Sequence, residues 1–455
     1  MRRFNRVLML GLGSLAYSQS IPSGPVDVRL QVDYDLNDVR AKADEPAMRA
    51  FAWRAFHTIT RPVPDDERFP IWMSWCTRKD VLSCGCPERG GGSVRSLSFN
   101  DQAKPGRVLS KGVDVLSSLF YSPSVVHYLN TQKIYDAPLV SGYRKQLMQK
   151  AKCFDTKGVG PGDRDIPPLA RSSIVVKPAW IIVKHPKPGS IAKIPVWDGQ
   201  DDPHNKSILE QSHFINMADF SRTVTLNFRG LSPRRDCKTQ PLYPQEEPDG
   251  TISLVDHFFF YQVCAVDTLP AEMLKICASG VCPLSDGDIL VLAGLHVITR
   301  QIDDWTWSTF WWHDRPTRGP FAKGRPPELN ADSIWRHYLM DVTFDEDTPR
   351  EADGSSRAIF NPYLEAQIPD GYRSNCMSCH RLAAVHCSYR GKCDEQAASE
   401  RYQGLYDVHI PGRDVGFPVP IHGTDRTNAL FDGAVRTGFL WSIADRGGNL
   451  GCQTP

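Results

Sequence analysis

The 455-residue chain has no excess charge of either sign: 53 Lys and Arg stand against 52 Asp and Glu, a formal net charge of +1. That balance supplies no basic surface for nucleic acid or for an anionic membrane, so neither is expected as a partner. After Ser20 no apolar run approaches the roughly 20 residues that cross a bilayer as a helix, so no span is expected once the leader is removed. There is no dinucleotide glycine fingerprint, no serine elbow and no His-Glu-x-x-His string. Gly90-Gly91-Gly92 lacks the spacing of a phosphate loop and reads as a plain flexible loop. The acidic stretch Asp345 to Asp353 lacks calcium-loop spacing and reads as solvent-exposed charge.

Cysteine, by contrast, is plentiful. Two of the 13 lie in Asn375-Cys376-Met377-Ser378-Cys379-His380, a Cys-x-x-Cys-His string. Thiols three residues apart on the first turn of a helix can each form a thioether to one haem vinyl group, and His380 then meets the iron as proximal ligand. The competing readings are a zinc half-site and a redox dithiol. Zinc needs a second pair of similar spacing, and Cys387 with Cys393 is a looser one. A redox dithiol usually follows a strand in a βαβ pattern, which is absent here. One covalent haem c on Cys376, Cys379 and His380 is therefore expected. No Met follows Met377, so the haem segment has no downstream thioether to offer as sixth ligand; Met340 is the nearest in sequence, His409 and His422 are other candidates, and His386, six residues past His380, is too close to reach the opposite face of the iron.

The first residues point to the compartment where such attachment occurs. Arg2, Arg3 and Arg6 precede the short apolar run Val7 to Ala16, and small residues near Ser18 and Ser20 suit cleavage before Gln19 or Ile21. Residues 1–20 read as a secretory signal, and the mature protein is expected to be periplasmic or secreted. Taking the two haem thiols from 13 leaves 11, an odd number that fits an oxidising compartment with at least one thiol unpaired within the chain. Cys277 with Cys282, and Cys387 with Cys393, are the closest plausible bridges. Cys84 and Cys86 are more readily paired with separate partners.

Asp44 to Thr60 carries a cap, Pro46 in the first turn and apolar residues from Met48 to Ile59 on one face, which predicts a helix. Residues 70 to 110 read as irregular, and Asp114 to Leu129 as helical on either side of Pro123. Ser173 to Lys184 is β-branched and apolar, with Pro178 marking an edge or bulge. A short helix is expected over Ile208 to Met217, and strands over Ser221 to Phe228, Thr251 to Val266 and Asp288 to Arg300. Arg315 to Leu329 reads as a basic Pro/Gly loop, and Ser333 to Asp341 as a short helix. Gly294 to Ile302 and Trp305 to Asp314 form a hairpin if Asp303-Asp304 is its two-residue turn; His296 then opposes Trp311, on the face of Trp305, Trp307 and His313. That face is either a Trp-rich core with two hydrogen-bonded histidines or a surface turned to haem or substrate, which makes His296 and His313 haem-facing candidates. Ala429 to Arg446 is apolar enough for a closing helix or a final strand.

Phe51 to Pro62, Ser173 to Trp180, Gly294-Leu295-His296, Trp305 to Phe310, Asp332 to Leu339, Asn361 to Ala383 and Gly438 to Ile443 together resemble bacterial proteins labelled only "cytochrome c family protein". The resemblance covers most of the mature chain. It implies one haem at the C-terminal end of a large domain of unassigned role, and no particular reaction. Where such proteins have Glu-His after the Trp-Ser-Thr-Phe string, this chain has Trp311-Trp312-His313.

The expected architecture is α+β: a large, mainly β domain with a few helices over residues 21–360, then a small, mainly helical cytochrome c-like domain over 361–455. The expected function is electron transfer between periplasmic partners, with a redox partner protein. The alternative is a haem-dependent oxidoreductase whose large domain binds a small-molecule substrate, since residues 21–360 are far more than a simple carrier needs.

Overall fold

A computed structural model describes residues 25–64, 66–82, 115–131, 166–184, 186, 190–212, 215–228, 231, 250–263, 287–329, 333–345, 349–365, 371–381, 383–386, 434–440 and 442. The leader, the Gly90 run, Cys84, Cys86, the Cys277–Cys282 and Cys387–Cys393 pairs, His409 and His422 lie outside these residues.

Two capped helices begin the described chain. Asp35 caps α1 (Leu36–Ala41) and Asp44 caps α2 (Glu45–Thr60), accepting from the Ala47 N–H, with Pro46 in the first turn where no N–H is needed. The expected apolar stripe of α2 is buried, and so are Arg49 and Trp53. Arg49 reaches Asp341 at 3.3 Å and the Phe321 and Met340 carbonyls, which satisfies the buried guanidinium.

The stretch after residue 60 is more ordered than its composition suggests. It contains β1 (Pro62–Val63), β2 (Asp66–Pro70), a 3-10 turn at Ile71–Ser74, β3 (Cys76–Thr77) and α3 (Arg78–Leu82). Cys76 is in a disulfide. The helix expected from Asp114 is replaced by β4 (Val115–Ser117) and β5 (Phe120–Tyr121), and α4 (Pro123–Thr131) starts on the proline. The reason is pairing: β4 and β5 flank the two halves of β6 (Ile174–Val183), at Ile181–Ala179 and Val176–Val175. Pro178 falls where β4 gives way to β5, next to a bulge at Ala293 of the strand on its other side.

Next come β7 (Ile191–Val196), which the sequence reading missed, and α5 (Pro203–Gln211). Helix α5 begins five residues before the expected Ile208, because Asp202 caps it and Pro203 opens it. Strand β8 (Arg222–Asn227) pairs with β7 and with β9 (Ile252–Ser253). The single strand expected from Thr251 is broken into β9, α6 (Leu254–His257) and β10 (Phe260–Gln262). Strands β11 (Ile289–Thr299), β12 (Thr306–Trp312) and β13 (Tyr338–Thr343) complete an eight-stranded sheet of order β13-β12-β11-β6-β5-β3, with β10 on β11 and β4 on β6. The helix expected over Ser333 to Asp341 is a 3-10 turn at Ile334–His337, and Tyr338 onward pairs with β12. The described C-terminal part holds α7 (Cys376–His380) and the antiparallel pair β14 (Ala384–His386) and β15 (Ala434–Arg436), so a strand lies within Ala429 to Arg446.

The protein is thus α+β, with more sheet than helix among the described residues. Both faces of the large sheet are covered. On one face Phe56 of α2 stacks on Phe310 at 4.2 Å. On the other, Val175, Ile298, Trp305 and Trp307 share a core cluster with Met377, Phe439 and Leu440. Double coverage explains why β11 is buried along its whole length and reads as a continuous apolar run. Described residues after Asn361 bond to the part before it: Tyr363 donates to the Pro195 carbonyl and Tyr372 to those of Leu209 and Ser212.

Candidate functional site

The hairpin register fixes which residues meet. His296 opposes Thr309, and Thr299 opposes Thr306, so the connection runs from Arg300 to Trp305 rather than being a two-residue Asp303-Asp304 turn. Remote partners account for the longer loop. Arg171 and Arg300 hold Asp303 at 2.7 and 2.9 Å, Arg40 pairs with Asp304, and Trp305 takes φ 65. The expected register is off by two residues. Because the side-chain period of a strand is also two, the expected faces survive. His296, Ile298, Trp307, Thr309 and Trp311 lie on one face, with Val175 and Lys177 of β6 beside them.

The Cys-x-x-Cys-His segment covers that face. Helix α7 is only five residues long, and its N-cap supports it: Asn375 accepts from the Met377 and Ser378 N–H groups while the Ser378 hydroxyl accepts from the Asn375 N–H. This reciprocal cap satisfies donors that so short a helix cannot pair internally. Met377 turns into the core, and both thiols are half-buried. Burial pushes the Cys376 thiol well up, with Glu365, Asp341 and Cys379 adding to the effect.

His380 is held from two sides. Its ring lies 4.2 Å from that of Trp307, whose indole N–H donates to the Asp304 carbonyl. Its Nδ1 donates to the Phe439 carbonyl at 2.8 Å. That carbonyl sits in a tight turn closed by Leu440 N–H to Thr437 O, with Gly438 at φ 58 and Phe439 at φ 69. A bulky residue in the left-handed region costs about 1–2 kcal/mol, so packing around Phe439 must offset it. With Nδ1 committed as donor, Nε2 is the nitrogen left for a ligand. Burial pushes His380 down to about 4; the Phe439 carbonyl opposes this, and the charges of Lys177 and His296 add to it. A neutral imidazole with one nitrogen anchored and two half-buried thiols, one a turn earlier and one on the preceding residue, are the groups covalent haem requires, so the residues present fit it.

The two candidate histidines separate. His296 lies on the covered face and binds Glu365 Oε1 through Nε2 at 2.8 Å. His313 follows β12 and belongs to another cluster, donating from Nε2 to Asp198 at 3.2 Å and accepting the Arg315 N–H at Nδ1 at 2.9 Å. Arg222 bridges Asp198 and Asp314 around it, both at 2.7 Å. Along the strand, Thr309 and His313 are about 13 Å apart, so His313 is no diagonal neighbour of His296. Met340 pairs with Phe310, on the α2 side of the sheet and away from His380. Among the described residues, no group of three or more His, Cys, Asp or Glu is placed to hold a bare metal ion.

Lys177 and Glu365 are the site residues the sequence reading missed. Lys177 is the one charge within the apolar run Ile174–Val183, which was the available signal. Burial pushes its amine down, opposed by Glu365 and Cys379. Glu365 had no such signal. Burial would raise its carboxyl, but His296, Lys177 and the Asn361 N–H together hold it below the usual range.

His313 also carries a pH expectation. Burial pushes it down to about 4, below its ordinary 6.5, with Arg222 adding to the shift and Asp314 and Asp198 opposing it. The unfolded chain therefore takes up a proton that the folded chain refuses. The stability this represents is complete above about 6.5 and is lost as pH falls toward 4, by up to about 3 kcal/mol. His337, also pushed to about 4 by burial, acts in the same window. Urea unfolding at pH 7 and pH 5 should show a smaller acid loss for His313→Gln than for the wild type; equal losses would contradict the assignment.

Comparison with protein-family models, with curated proteins and with solved structures finds no match.

Proposed function

We infer that the protein is an exported mono-haem c-type cytochrome, with haem joined to Cys376 and Cys379 and iron bound by His380, passing electrons between partners outside the cytoplasm. The observation that carries this reading is the anchored His380: a half-buried imidazole whose Nδ1 donates to the Phe439 carbonyl, at the end of the helix bearing both thiols. Bound there, a haem would supply one-electron redox chemistry. The chain's own part is to hold the His380 tautomer, to exclude water with Met377, Phe439 and Leu440, and to place the Trp307 ring against His380 as an aromatic contact into the sheet.

A second reading, a haem-dependent oxidoreductase acting on a small molecule, is favoured by one further observation. Lys177, His296 and Glu365 gather ionisable groups beside the thiols, where apolar packing would cost less.

Mass spectrometry of mature protein recovered from outside the cytoplasm should show a start near Gln19 or Ile21 and the added mass of one haem. Protein that loses all haem to acid-acetone extraction would overturn the cytochrome reading, and an intact Met1 on the haem-bearing form would overturn export with cleavage.

A further inference from the structure

Resting on that reading, we propose that His296 supplies the second axial nitrogen to the iron bound by His380, with Glu365 as its positioning residue.

The placement comes from the sheet. Trp307, which touches the His380 ring, opposes Ile298; His296 lies two residues from Ile298 on β11 and opposes Thr309. Two residues along a strand return to the same face about 6.7 Å away. His296 is therefore one step along the surface that α7 covers. Cross-strand from it on β6 is Lys177.

Orientation comes from a chain of fixed groups. Glu365 takes the His296 Nε2–H on Oε1 at 2.8 Å and the Asn361 N–H on Oε2 at 2.7 Å. Asn361, wholly buried, donates from Nδ2 to Thr309 Oγ1 at 3.0 Å and to the Phe310 carbonyl at 2.8 Å, and accepts the Tyr363 N–H at 3.0 Å. The carboxylate is thus tied to β12 as well as to its own turn. An imidazole that donates one N–H to an anchored carboxylate presents its other nitrogen, here Nδ1, as a lone pair in a set direction. Metal-binding histidines are held in this way. His380 has the same arrangement, with the Phe439 carbonyl as acceptor. Lys177, cross-strand from His296, offsets the charge of the carboxylate that holds it.

Three other donors among the described residues are placed less well. Met340 is on the opposite face, Met377 is packed into the core within the motif itself, and His313 is enclosed by Asp198 and Asp314.

The test uses the full-length, exported, haem-loaded protein. The ferric wild type should be low-spin in its visible and electron paramagnetic resonance spectra. His296→Ala should become high-spin, and added imidazole should restore the low-spin spectrum. His296→Met, which keeps a ligand at that place, should show a thioether-to-iron charge-transfer band. Glu365→Gln should stay low-spin with a raised reduction potential, because a neutral amide draws less on the Nε2 proton and the ligand donates less charge. A high-spin wild type, or His296→Ala protein that remains low-spin, overturns the proposal. So does loss of the low-spin state in Lys177→Ala with His296→Ala unchanged, which would assign the position to the amine. Haem staining separates the two levels: no covalent haem in the wild type removes the cytochrome reading and this proposal with it, whereas retained haem with the wrong spin states removes this proposal alone.

Discussion

Replacing Cys376 and Cys379 together by Ala is expected to abolish covalent haem, leaving no band that survives denaturation in haem-stained gels. In the proposed cytochrome each thiol would supply one thioether, so either single replacement should keep a band of lower yield. The reduced pyridine spectrum of a single variant should also move to longer wavelength, because one vinyl group stays conjugated. The effect on the apoprotein should be small by comparison. Both side chains are half-buried, Ala is the best helix former, and the Asn375–Ser378 cap that holds the helix is untouched. His380→Ala should behave differently, keeping its Phe439 turn but offering no proximal nitrogen. Covalent haem that persists in the double variant would show that attachment lies elsewhere among the remaining cysteines.

The second large effect is expected where two elements touch with no room to spare. Gly294 of β11 lies under Asn361, and a Cβ at position 294 would sit 2.5 Å from Asn361 Oδ1 and 2.7 Å from its Nδ2. Gly294→Ala must therefore displace an amide that makes hydrogen bonds to Thr309, Phe310 and Tyr363. A cost of about 2–3 kcal/mol is expected from overpacking and disturbed hydrogen bonds. Asn361→Ala leaves the Phe310 carbonyl and the Tyr363 N–H short of a partner, and should cost about 3 kcal/mol. The double variant should be less unstable than the sum by 1 kcal/mol or so, since the added methyl enters space the amide has vacated. Urea unfolding of all four proteins measures the coupling, and strict additivity would refute the contact. Asn361 also anchors Glu365 through its backbone N–H, so Asn361→Ala should leave that link formally intact while loosening the turn that carries it.

The features legible in the chain were those that depend on neighbours within a few residues. Helix α2 follows from Asp44, Pro46 and a helical apolar period. Strands β6 and β11 follow from β-branched runs too short and too apolar for a surface helix. The Cys-x-x-Cys-His chemistry is contained in five consecutive residues. Even the shared face of His296 and Trp307 was accessible, because an error of two residues in register leaves a period of two unchanged.

Other features depended on partners far away in sequence. Val115–Ser117 has no strong local preference against helix, and β6 makes it a strand. Asp303 and Asp304 look like turn formers until Arg171, Arg300 and Arg40 draw them into ion pairs. The same applies to the site. The sequence by itself determined the spacing of Cys376, Cys379 and His380 and the face of the hairpin, because motif spacing and strand alternation are local geometry. Only the tertiary structure decided that His296 and not His313 shares that face's polar centre, that Lys177 and Glu365 join it, and that the Phe439 carbonyl orients His380. The physical reason is that a buried charge or an imidazole N–H takes whichever partner the packed elements bring within about 3 Å, at any separation along the chain.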